Sequence, residues 1–97
     1  MTVKMRRWDV ADHLNNEAEI IAYLDACFEE DPGDGSLIRA ALGDIARAKG
    51  MTDMARETGI KRESLYRALS PEGNPEFVTI LKTLKALGFK LQAQSLK

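Results

Sequence analysis

Lys61 to Ser70 reads KRESLYRALS, and its polar side chains have the types and spacing to meet a nucleic acid. Arg62 and Arg67 each carry a planar fork of donors that matches the O6 and N7 acceptors of guanine in a major groove. Tyr66 could contact a phosphate or a thymine methyl. Glu63 could accept from a cytosine amino group, or only restrain Arg67 four residues on. Lys61 is a compact charge suited to a phosphate, a contact that raises affinity without reading sequence. Ser64, with Thr52 and Arg56 from the preceding segment, completes the candidate DNA-binding set. Catalysis finds no comparable set. His13 and Cys27 are each the sole residue of their type, with no third group at hand for a triad and no second ligand at metal spacing. There is no glycine-rich phosphate loop. The adjacent carboxylates Glu29 and Glu30 read as a solvated cluster at a helix end. No enzyme, cofactor or metal is expected.

The elements that must hold these side chains are two short helices over about 53–58 and 61–70, joined by a tight turn at Gly59. Ala55 faces the crossing helix, where a larger side chain would push the pair apart. Gly59 falls where the first helix stops, a place that favours a left-handed residue without a Cβ. Ile60 plugs the corner, and Met54, Leu65 and Leu69 face inward. This Ala–x3–Gly–Ile–x4–Leu spacing fits a helix-turn-helix, whose second helix enters a DNA major groove. A plain helical hairpin with a solvated polar face satisfies it too. Thr52 is positioned to cap the first of the two helices.

Around this pair the periodicity predicts further helices. Asp9 can cap a short helix over 10–14. Asn16 can cap one over 17–30 whose buried face is Ile20, Ile21, Leu24, Cys27 and Phe28. Its acidic end, Glu29 to Asp31, opposes the helix dipole and predicts fraying before the break at DPGDG. Ser36 can cap a helix over 37–49 with Ile38, Ala41, Leu42 and Ile45 inward and Arg39, Asp44, Arg47 and Lys49 toward solvent. Asn74 and Pro75 open a last helix over 75–87 with Phe77, Ile80, Leu81, Leu84 and Leu87 inward. Residues 89–94 alternate apolar and polar like a strand, which could pair with residues 2–7 or with a second copy. The sum is an all-α bundle of about five to six helices, with an optional C-terminal strand.

At 97 residues and 44% hydrophobic, the chain suits one domain, 1–97, with a small core. Within it, 1–35 form an arm and an acidic helical extension, 36–88 the helix-turn-helix core, and 89–97 a strand or tail. The net charge of −1 argues against DNA binding until its distribution is considered. Residues 9–36 hold nine acidic residues and no Lys or Arg, whereas Lys4, Arg6 and Arg7 and the stretch 37–97 are net basic. A basic surface beside the two short helices is what phosphate contacts require. The acidic segment either meets a basic partner or keeps the protein soluble. No apolar run nears the ~18 residues a membrane span needs. The N-terminal basic residues are not followed by an apolar segment, so no signal peptide is expected. A lone cysteine suits a reducing cytoplasm, where Cys27 reads as a small buried hydrophobe.

The segments WDVADHL at 8–14, ALGDIARAKGM at 41–51, ARETGIKRESLYRALS at 55–70 and GNPEFVTILKTLKALGFKL at 73–91, with the helix around Tyr23 and Leu24, resemble the HigA-like addiction-module antidote family. That resemblance implies a lambda-repressor-like helix-turn-helix protein, often dimeric. It implies an antitoxin that silences a small basic toxin of the RelE or HigB type and represses its own operon on operator DNA. Relatives often place serine or threonine where Lys61 stands, and lysine cannot accept the capping N–H. Two other functions fit the residues: a transcription regulator without a toxin, and a protein-interaction module that no longer reads DNA. The acidic segment 9–36 is where a basic toxin would dock on charge alone.

Overall fold

The computed structural model describes residues 16–96. It is all-helical: α1 spans Glu17–Glu30, α2 Ser36–Lys49, α3 Met51–Thr58, α4 Arg62–Ala68 and α5 Phe77–Ala86. The expected arm, Trp8, His13 and the helix over 10–14 lie outside these residues. No helix among the described residues is long and apolar enough to cross a membrane.

α2 is the central helix. Ala41 to Ala46 are six consecutive buried residues, so neighbours cover it on every side. α1, α3 and α5 all pack on it. Small residues allow the closest approach. A Cβ on Gly43 would stand 2.9 Å from the Leu69 carbonyl oxygen, so glycine lets the end of α4 rest directly on α2. Leu42, Ile45, Met54, Leu65, Thr83 and Cys27 fill the centre. Cys27 is the buried hydrophobe its position suggests. Thr83 is fully buried, and its hydroxyl is satisfied by donating to the Thr79 carbonyl at 2.8 Å.

The caps differ from expectation in an instructive way. Asn16 Oδ1 does accept from the Glu19 N–H at 2.8 Å. Ser36, however, does not cap α2. Asp31 reaches across the DPGDG turn and accepts from the N–H groups of Gly33, Gly35, Leu37 and Ile38. One carboxylate thus closes the turn and caps α2, and charge near that N-terminus suits the dipole. The residue that looked unfavourable at the end of α1 is in fact committed to the start of the next helix. Thr52 is not a cap either, because α3 begins at Met51 and Thr52 is an exposed first-turn residue. α5 starts at Phe77 rather than 75, behind an extended Glu76, and Asn74 makes no capping bond. Gly73 is pressed against the Arg67 and Ala68 carbonyls, and its N–H donates to the Ser70 carbonyl at 2.9 Å, so the chain is still turning there.

Several side chains expected inside are outside. Ile21 and Phe28 of α1 are exposed, and Tyr23 takes part of the inner face instead. Phe77 and Leu81 of α5 are exposed, and Thr83 is inside. Asp44, expected in solvent, is 9% exposed. It accepts from the Tyr23 hydroxyl at 3.1 Å and pairs with Arg47 at 2.6 Å. Lys49 and Arg39 are also engaged: Lys49 Nζ donates to Glu57 and to the Ala86 carbonyl, joining α2 to α3 and α5. No strand forms among the described residues, and 89–96 run without regular structure. An alternating pattern cannot make a strand without a neighbour to complete its hydrogen bonds.

Candidate nucleic-acid interface

α3 and α4 cross through Met54, Leu65 and Leu69, all essentially buried. Gly59 ends α3 at φ 75°, and its N–H donates to the Ala55 carbonyl at 3.0 Å. The neighbouring Thr58 stiffens the turn. Its hydroxyl donates to the Met54 carbonyl at 2.7 Å and accepts from the Ile60 N–H at 3.2 Å. Ile60 packs against the core from the corner. The inward side chains thus fix which side of α4 faces out.

On that outward side Lys61, Arg62, Glu63, Tyr66 and Arg67 are exposed, and Ser64 is half-buried. The Arg62 guanidinium lies 5.5 Å from the centre of the Tyr66 ring, a cation–π contact one turn apart. It draws two candidate base-reading side chains together and narrows the directions open to Arg62. Lys61, Arg62 and Arg67 make no ion pair with a described residue, and Glu63 does not restrain Arg67. Arg56 is different. It pairs with Asp53 at 2.6 Å, with both side chains largely in water, so a phosphate would compete with Asp53 for it. Thr52 and Arg56 lie on α3, apart from the α4 group, with exposed side chains.

Lys61 stands at the N-cap of α4 with φ −58° and ψ 143° and makes no capping bond. Its carbonyl accepts the first helical hydrogen bond, from Leu65 at 2.9 Å. The start of α4 is therefore held by Ile60 and the turn rather than by a side-chain cap. Its far end has a brace that sequence inspection missed. Arg39 of α2 donates through Nε to the Ser70 carbonyl at 3.1 Å and through Nη2 to the Pro71 carbonyl at 2.9 Å. No spacing rule links residues 31 positions apart, so only the packed fold could reveal this.

Comparison with protein families matches residues 4–95 to the family described as "Probable addiction module antidote protein". A relative from Haemophilus influenzae (strain Rd), itself described only as an uncharacterized protein, is 50% identical over 94 residues, covering 97% of this chain and 95% of its own. No solved structure matches significantly.

Proposed function

Because this chain belongs to the family of probable addiction module antidote proteins, we propose that it is the antitoxin of a HigA-like module that binds and silences a small RelE- or HigB-like toxin. Membership implies a regulatory protein rather than an enzyme, with a toxin as partner. In this reading the protein also represses its own operon, as a cytoplasmic homodimer whose α3 and α4 form a lambda-repressor-like helix-turn-helix on operator DNA.

The observation that supports DNA binding is the outer face of α4. Three cations, Lys61 at the N-cap and Arg62 and Arg67 on the helix, lie exposed and in no ion pair with a described residue, and the helix's other side is anchored by Leu65 and Leu69. A major groove accepts one α-helix, and this is the helix whose outward residues match base edges. Arg62 and Arg67 read guanines, with Tyr66 and Glu63 beside them. Lys61 holds a phosphate, and Thr52, Arg56 and Ser64 add contacts at the edge of the interface.

The test is a gel-shift titration of the protein on its own upstream DNA and on scrambled DNA at two salt concentrations. Arg67→Ala is expected to lose roughly 1–3 kcal/mol on the cognate sequence only. Lys61→Ala should weaken both DNAs alike and flatten the salt dependence by about one unit. Wild-type affinity retained by Arg67→Ala on both DNAs would sink the assignment of α4 and leave a helical hairpin with a solvated face.

A further inference from the structure

We infer that the trough between α1, α5 and the C-terminal segment docks a partner protein that presents a basic surface carrying protruding apolar side chains. The inference rests on the antidote reading for the existence of such a partner and adds where it sits. Phe28, Phe77 and Leu91 are 49%, 65% and 43% exposed. They are not scattered. All three line one trough of about 360 Å³, floored by Leu24, Leu42 and Leu84. Phe28 and Leu91 also line a second, of about 710 Å³, so the two share a wall. Contiguous exposed apolar surface on a small protein marks an interaction site.

The rim identifies the partner's chemistry. Asp25 and Glu29 flank Phe28 on α1 and line the second trough, where Lys90 is the one cation among the described residues, and Asp34 lines the first, so the lining is net acidic. Neither Asp25 nor Glu29 is in an ion pair with a described residue. From Glu17 to Ile38 the chain has no Lys or Arg. Arg39, which lines the first trough, is already bonded to two carbonyls. A second copy of this chain would bring the same net negative lining, Asp25, Glu29 and Asp34 against Lys90 and the engaged Arg39, so the two faces repel on balance. A basic partner gains attraction from the same groups, and its apolar side chains fill the trough. No α4 residue lines either trough, so this face and the proposed DNA face are separate.

The experiment uses the full chain and, as probe, the purified product of the gene adjacent to its own. Binding is measured by calorimetry for the wild type, for Phe28→Ser with Phe77→Ser, and for Asp25→Lys with Glu29→Lys, each variant first shown to melt as the wild type does. The serine pair is expected to weaken binding roughly thirtyfold or more, as loss of a central apolar anchor does. The lysine pair should slow association and reduce its salt dependence. A photo-crosslinker placed as Phe28→p-benzoylphenylalanine should join the two proteins. Wild-type binding that both pairs leave unchanged overturns the docking face while the antidote reading stands. No binding by the wild type overturns both. A cross-link to a second copy of this chain, or within the chain to residues 1–15, also overturns it by naming another occupant.

Discussion

Asp31 has four backbone donors, two in the turn and two at the start of α2. Desolvation pulls its pKa upward, but the hydrogen bonds from Gly35, Gly33, Leu37 and Ile38 together outweigh it and hold the carboxyl below its ordinary value. The sign of the linkage follows. The unfolded chain binds this proton more readily than the folded one, so Asp31 contributes stability above the ordinary carboxylate pKa of about 3.9. That contribution is lost as pH falls from there through the folded value. Asp31→Asn should therefore destabilise the protein at pH 7, and the gap should close on acidification. Urea melts of both proteins between pH 7 and pH 3 would show it. A gap that stays constant with pH would mean that Asp31 charge has no part in the cap. Tyr23 shows the opposite case. Desolvation first, then the nearby Asp44 carboxylate and Cys27, push its phenol well above the ordinary range. It stays a neutral donor to Asp44 at any physiological pH.

At the scale of elements, the helices are positioned by contacts that leave little room for change. Gly43 and Gly59 are needed for different reasons, and alanine separates them. At Gly59 nothing lies within 4 Å of an added Cβ, so the cost is that of a left-handed backbone alone, about 1–2 kcal/mol. At Gly43 the helical backbone suits alanine, but the Cβ would press on the Leu69 carbonyl at 2.9 Å. Such overpacking typically costs about 1–3 kcal/mol. Since the displaced group ends α4, Gly43→Ala should also weaken the proposed DNA binding, while Gly59→Asn should recover much of the stability lost by Gly59→Ala, because asparagine tolerates the left-handed region. Thermal melts and the gel-shift titration measure the two effects. Equal melting of Gly59→Ala and Gly59→Asn would remove the backbone explanation.

At the scale of the molecule, charge is segregated. α1 and the following turn are acidic, and the outer face of α4 carries three cations against Glu63. A net charge of −1 thus says little about either surface. If the proposed homodimer is correct, its two α4 helices must reach successive major grooves, with half-sites about one helical turn, ~34–36 Å, apart. Inserting about half a turn between the half-sites of a palindromic operator should then reduce affinity toward that of a single half-site. Sedimentation of the protein–DNA complex would give its stoichiometry in the same experiment. Undiminished affinity across spacings would exclude a rigid dimer.

Local rules go far in this chain. The breaks at DPGDG and Gly59, the inward Met54, Leu65 and Leu69, and the outward Lys61, Arg62, Tyr66 and Arg67 all follow from periodicity and glycine chemistry, and all are found. Those features depend on residues a few positions apart, which helical geometry couples directly. What local rules misjudge is which apolar stripe gets covered. Ile21, Phe28, Phe77 and Leu81 have the right spacing and remain exposed, because covering a stripe requires another element to lie on it. The same holds for Asp44, whose burial depends on the hydroxyl of Tyr23 one helix away, and for Arg39, whose acceptors follow α4. Asp31 is the sharpest instance. As part of α1 its charge is unfavourable, and only the path of the turn brings four N–H groups to it. Contacts between distant residues exist only once the helices have packed, so no short-range pattern encodes them.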